Sequence, residues 1–127
     1  MAEAVLDASA LIAFLRDEPG ADKVAEVLTR SCISAVNLAE VLSKMTEYSK
    51  PVDAVAYQIE RLRIPVITFE SEQAGIVASL WQATRAAGLS LGDRACLALG
   101  IYNQWPVMTT DRAWAKVDVG VKVEVIR

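Results

Sequence analysis

The sequence predicts an α/β fold, a sandwich of helices around a mostly parallel sheet, formed as a single domain over residues 1–127. Three observations carry this. Short apolar, β-branched runs alternate with longer stretches of helical periodicity along the whole chain. All four prolines and most of the six glycines fall where elements should change. No linker, repeat or low-complexity run interrupts the pattern, and 127 residues suit one hydrophobic core.

Ala4-Val5-Leu6 is short and apolar and ends in Asp7, which reads as a first buried strand. Ser9 to Arg16 reads as a helix with Leu11, Ile12 and Leu15 at helical spacing. Pro19-Gly20 starts a second helix, with Val24, Val27 and Leu28 on one face. Ser31 to Ser34 is a short strand. Residues 36–49 form a helix on which Val41, Leu42, Met45 and Tyr48 share a face. Pro51 suits the first turn of a helix reaching about Leu62. Pro65 to Phe69 is a β-branched strand. Ser71 and Glu72 then cap a long helix that carries Ile76, Val77, Leu80 and Trp81 and closes at Gly88. Asp93 to Tyr102 is helical, and Pro106 to Thr109 is a strand. Val121, Val123 and Val125 alternate with Lys122 and Glu124, the pattern of a half-exposed last strand.

Composition narrows the chemistry. Thirteen basic against sixteen acidic residues give a formal charge of −3, which disfavours wholesale electrostatic binding of nucleic acid but permits a local site. At 54% hydrophobic the chain can bury a core and is not disordered. It has no histidine, which excludes imidazole acid–base catalysis, Ser-His-Asp triads and His-ligated zinc. Cys32 and Cys96 form no disulfide framework and are expected reduced and buried in a cytoplasmic protein. Met1-Ala2-Glu3-Ala4 has no basic region of a signal peptide. The apolar stretch Val5 to Leu15 is interrupted by Asp7 and too short for a membrane.

Four acids are placed for chemistry. Ligands of open parallel sheets bind beyond the carboxyl ends of the strands. Asp7 closes the first strand, and Asp111 follows the Val107–Thr110 run. Asp93 opens a helix. Glu40 lies within a helix, where Asn37, Glu40 and Lys44 form a polar strip beside the apolar stripe. Each has a plainer reading: Asp93 and Asp111 as helix or turn caps, Glu40 as a solvated helix residue. Asp7 resists one, because its neighbours are apolar and a lone buried carboxylate is costly. Converging carboxylates repel, at roughly 4 kcal/mol for a pair 4 Å apart at an effective dielectric near 20. A hard divalent cation relieves that, and all-oxygen ligands suit Mg²⁺ or Mn²⁺.

At these residues the sequence resembles the PIN-domain nucleases, most closely the small VapC-type toxins. The resemblance rests on Val5-Leu6-Asp7-Ala8-Ser9-Ala10-Leu11, Ser34-Ala35-Val36-Asn37-Leu38-Ala39-Glu40-Val41, Leu89-Ser90-Leu91-Gly92-Asp93-Arg94-Ala95-Cys96-Leu97-Ala98-Leu99, and Thr109-Thr110-Asp111-Arg112-Ala113-Trp114, in the family's order over nearly the whole chain. It implies a PIN-like three-layer sandwich with four or five strands flanked by helices. It implies a metal-dependent endoribonuclease with one or two Mg²⁺ or Mn²⁺ ions held by Asp7, Glu40, Asp93 and Asp111. It assigns Ser9, Asn37 and Thr110 to support of that centre by hydrogen bonding. It also implies a cognate antitoxin that carries the DNA contact, and a homodimer within a larger toxin–antitoxin complex. Residues 50–82 match only in general character.

Arg94 and Arg112 each follow one of these acids directly, and Arg16 and Lys44 are the nearest other candidates for phosphate contacts. The competing reading is that they screen the acidic cluster. Trp81 and Tyr48 are expected to pack on helix core faces, and Trp114 to anchor the loop after Asp111. No paired aromatic platform for bases is legible. Three alternatives stand beside the toxin reading: a PIN-type RNA-processing nuclease without an antitoxin, a non-catalytic PIN binding module, and a receiver-like phosphoacceptor domain. The last lacks paired acids after its first strand and a lysine at its late position, where Thr109-Thr110 stands.

Overall fold

The structure, a computed structural model, describes residues 3–127; the Met1–Ala2 end of the segment read as lacking a signal peptide lies outside the described residues. Five strands form one sheet: β1 (Ala4–Leu6), β2 (Ser31–Ser34), β3 (Val66–Ile67), β4 (Val107–Thr109) and β5 (Val123–Val125). The order is β3-β2-β1-β4-β5 and every pairing is parallel. Among the described residues seven helices connect the strands: α1 (Ala8–Leu15), α2 (Ala21–Val27), α3 (Ala35–Glu47), α4 (Val52–Arg61), α5 (Ser71–Ser79), α6 (Trp81–Thr84) and α7 (Leu91–Asn103). Two 3-10 turns, Leu28–Arg30 and Arg112–Lys116, precede β2 and follow β4. A receiver-like sheet has the order 2-1-3-4-5, so the topology removes that alternative.

Strand alternation divides the core into two layers. Ala4, Leu6, Ile33 and Met108 face α1 to α4, packing with Leu11, Val24, Val41 and Ile59. Val5, Cys32 and Val107 face the other way, against Leu80, Leu97, Leu99 and Trp114. Both faces of the central strands are therefore buried, as expected of a parallel sheet. Two glycines make this packing possible. Gly20 starts α2 at φ 100°, and a Cβ there would stand 2.9 Å from Cγ1 of Ile126. Gly100 lets α7 lie on β4, since a Cβ would come 2.6 Å from Cγ1 of Val107 and 2.8 Å from the Trp105 carbonyl. No helix among the described residues is long and apolar enough to cross a membrane.

Several expectations need correction. The long helix expected from Ser71 to Gly88 breaks at Leu80 into α5 and the single turn α6. The break shifts the helical phase, so Trp81 leaves the core face, is 48% exposed and lies beneath the Arg85 guanidinium at 4.7 Å. Tyr48 also leaves its expected face: it caps the end of α3, where Ser49 turns the chain at φ 63°, and it is exposed. The strand expected over 65–69 pairs only at Val66–Ile67, and the last strand begins at Val123, after a left-handed Gly120. Helix α7 starts two residues before Asp93, capped by Ser90.

Candidate metal centre

The sheet reverses its order between β1 and β4, because β2 and β3 extend from one side of β1 while β4 and β5 extend from the other. The crevice beyond the carboxyl ends at such a reversal is where open α/β sheets bind ligands. A pocket of about 410 Å³ lies there, and Asp7, Glu40, Asp93 and Asp111 all line it. Asp7 comes from the end of β1 and Asp111 from the turn after β4. Glu40 comes from the second turn of α3, and Asp93 from the first turn of α7.

Asp7 is buried, and two hydroxyls hold it. Ser9 Oγ donates to its Oδ2 at 2.7 Å, and Thr109 Oγ1 donates to the same oxygen at 3.0 Å. Thr109 Oγ1 in turn accepts from the Asp111 amide at 3.1 Å, so one hydroxyl ties the two strand-end acids together. The Asp111 carboxylate accepts from Ala113 N at 2.9 Å, which fixes the turn. Asp93 forms a capping box with Ser90: its Oδ2 accepts from Ser90 N at 2.9 Å, while Asp93 N donates to Ser90 Oγ at 3.1 Å. Asp93 is thus both a cap and a pocket wall. Asn37 joins α3 to α7 by donating from Nδ2 to Glu40 Oε1 at 2.8 Å and to the Gly92 carbonyl at 2.9 Å.

Two residues of this arrangement escaped the sequence reading. Side-chain support from β4 comes from Thr109, not Thr110, whose contribution is its backbone N–H to Ser9 Oγ at 3.0 Å. Parity held the signal: Val5 pairs with Val107, and two residues on Asp7 and Thr109 share that face. Gly92 was the second. A Cβ there would stand 2.5 Å from Cδ and 2.6 Å from Oε1 of Glu40.

Desolvation by burial pushes the Asp7 carboxyl from its ordinary 3.8 to about 6, reinforced by Asp93 and Glu40 and opposed by the Ser9 and Thr109 hydrogen bonds. Asp93 is also raised, by burial first and by Asp111, against its bonds to Ser90. The Cys96 thiol, in the core beneath the site, is pushed well up by burial and then by the nearby carboxylates, so it is inert. Cys32 and Cys96 are both free and buried. Among the described residues no three acidic or thiol groups meet at one metal-holding point; the four acids line the walls of the pocket instead. The donor set is nevertheless all oxygen, mutually repulsive and partly desolvated, which fits a hard divalent cation.

The basic candidates separate. Lys44 lines the pocket and pairs with Glu47 at 3.7 Å. Arg94 does not line it: its Nη1 donates at 3.0 Å to the Val77 carbonyl, near the carboxyl end of α5, where a cation is favoured. Arg112 donates from Nε to the Arg127 carbonyl at 3.1 Å. Arg16 pairs with Glu18 at 3.4 Å and stacks on Tyr48. Trp114 is fully buried under the turn that carries Asp111, as an anchor should be.

Solved structures share this fold. VapBC from Salmonella typhimurium bound to DNA superposes with a TM-score of 0.75 at 16% identity, covering 98% of both chains. FitAcB from Neisseria gonorrhoeae gives 0.69 at 21% identity, covering 95% of this chain and 96% of that one. A member of the VapBC family of toxin–antitoxin systems from Mycobacterium tuberculosis gives 0.60 at 23%, covering 98% of both. No curated protein sequence matches the chain. The PIN-domain profile matches residues 4–120, nearly the whole of the fold just described, and the chain belongs to the PIN-domain family.

Proposed function

We propose that this protein is a metal-dependent endoribonuclease, the toxin of a toxin–antitoxin pair, neutralised by a cognate antitoxin. One observation carries the reading: four carboxylates from segments far apart in sequence line a single pocket at the order reversal of the sheet. Asp7, Glu40, Asp93 and Asp111 would hold one or two Mg²⁺ or Mn²⁺ ions. Such an ion supplies an activated water and stabilises the departing oxygen of a phosphodiester, chemistry that needs no histidine. The chain's own contribution is position. Ser9 and Thr109 fix one oxygen of Asp7 and leave the other for the pocket. Asn37 holds Glu40 against the start of α7. Lys44 lines the pocket, where it would meet a phosphate of the strand, and Arg112, exposed and next to Asp111 in sequence, is the second candidate for such a contact.

The partners follow the similar proteins. Complexes called VapBC and FitAcB share the fold, one of them bound to DNA. By analogy the antitoxin carries the DNA contact and two copies of this chain pair within a larger cytoplasmic assembly. The test is RNA cleavage with Mn²⁺, with EDTA, and by Asp93→Asn. Cleavage that persists in EDTA, or full activity in Asp93→Asn, refutes the nuclease reading. The antitoxin reading requires a co-expressed neighbouring gene product that binds the chain and blocks cleavage.

A further inference from the structure

A second cavity opens along the same pair of helices as the acidic pocket. Helices α1 and α3 pack together, and the pocket lies between Ser9 and Ile12 of one and Glu40, Ser43, Lys44 and Glu47 of the other. Beyond it, Leu15 and Arg16 at the end of α1 and Met45 and Tyr48 at the end of α3 line this second, larger cavity of about 560 Å³. Lys50 and Gln58 complete its polar lining. The Arg16 guanidinium carbon lies 3.4 Å from the centre of the Tyr48 ring in the wall of this second cavity, and Tyr48 remains 40% exposed.

We propose that this second cavity is a nucleobase subsite of the same enzyme, occupied by a base of the RNA strand cleaved at the acidic pocket. The inference rests on the nuclease reading. Aromatic rings and guanidinium planes are the surfaces on which unstacked RNA bases stack. Arg16 and Tyr48 supply both. Gln58 offers an amide that can donate to and accept from a base edge, and Lys50 can meet a flanking phosphate. The separation suits a strand: the eight residues from Glu40 to Tyr48 rise about 12 Å along α3. That is roughly three to four nucleotides of stacked strand, or fewer if it is extended. The lining is mixed rather than apolar, which favours a nucleotide over a hydrophobic peptide anchor.

The experiment uses a cleaved RNA oligonucleotide selected from a random pool, with a single abasic nucleotide walked along it. In the unsubstituted protein one position a few nucleotides from the cut should slow kcat/KM about tenfold when its base is missing, within the range for loss of one base–aromatic stack. Tyr48→Ala should slow the intact oligonucleotide by a similar factor. It should then show no further loss with the abasic strand, because both changes remove the same contact. Gln58→Ala should change the preferred base at that position. Abasic penalties identical in Tyr48→Ala and the unsubstituted protein overturn the subsite while leaving the nuclease intact. So does a Tyr48→Ala protein that cleaves normally but no longer binds its inhibitory protein partner, which makes the cavity a protein seat. Failure of the unsubstituted protein to cleave any RNA in the pool refutes the nuclease reading itself, and the subsite with it.

Discussion

The carboxylate of Glu40 occupies the space where a side chain on Gly92 would begin. A Cβ there would overlap the carboxylate, at 2.5 Å from Cδ and 2.6 Å from Oε1. Asn37 clamps the same pair, bonding Glu40 and the Gly92 carbonyl together. Gly92→Ala must therefore swing Glu40 out of its place. The fold should hold, because the clash is with the end of a flexible side chain, and alanine gains about 0.5–1 kcal/mol over glycine in a helix. Mn²⁺ affinity, measured by calorimetric titration, is expected to fall at least tenfold, with cleavage falling alongside it. Unchanged affinity in a folded Gly92→Ala protein would contradict this.

Asp7 makes the pocket sensitive to pH. Its carboxyl titrates at about 6 in the folded protein and near 3.8 in the unfolded chain. Between those values the folded state holds the extra proton, so this residue's contribution to stability is lost as pH rises from about 4 to about 6. The shift corresponds to roughly 3 kcal/mol against the folded state at pH 7. Comparison with Asp7→Asn isolates it from the other carboxylates. An asparagine oxygen can keep the bonds from Ser9 and Thr109. In EDTA the variant's stability advantage in urea should therefore open above pH 4 and level off above pH 6. Saturating Mn²⁺ should reverse the order at pH 7, since only the unsubstituted protein binds it well. An advantage independent of pH would rule this out.

Thr109 and Thr110 should behave differently despite being neighbours of one type. Thr109 Oγ1 serves Asp7 and the Asp111 amide, and it is fully buried. Thr109→Val strips both of a partner and is expected to cost about 1–3 kcal/mol in chemical denaturation, together with activity. No hydrogen bond is made by the Thr110 side chain among the described residues, so Thr110→Val should stay within about 0.5 kcal/mol. Equal costs for the two would show that the hydroxyl bridge is unimportant.

A stability test away from the site is Gly100. A methyl there meets the Val107 side chain of β4 and the Trp105 carbonyl in the turn that joins α7 to β4, a backbone group that cannot move aside. Gly100→Ala is expected to lower stability by about 1–3 kcal/mol. The acid pocket itself is untouched, so the fraction that stays folded should cleave RNA at the normal rate.

Much of this molecule could be read before its structure. Each of the five strands is legible in position: β3 and β4 follow prolines, β5 carries alternating valines, and β1 and β2 are short runs with apolar centres. Two of the four acids, Asp7 and Asp111, are legible as residues that follow strands, while Asp93 is read from the start of a helix and Glu40 from its place beside the apolar stripe of one. What failed depended on long-range geometry. Thr110 does bond to Ser9, through its amide, but Thr109 was not read beside it, because only the register of β4 on β1 reveals which threonine side chain shares a face with Asp7. Trp81 and Tyr48 were assigned to core faces by counting helical phase through points where the helix ends. Arg94 adjoins Asp93 in sequence, yet the helix turns its side chain toward α5.

The bond between Thr109 and Asp7 spans 102 residues of chain. It has a consequence for how the protein is made. Helices α1 to α4 and strands β1 to β3 can emerge from the ribosome and begin to pack, but the order reversal that creates the crevice does not exist until β4 inserts beside β1. Until then Asp7 has no Thr109 and no Asp111 near it. Truncated or stalled chains that end before β4 carry no assembled centre, so the acidic site is completed only once β4 has been made and has paired with β1.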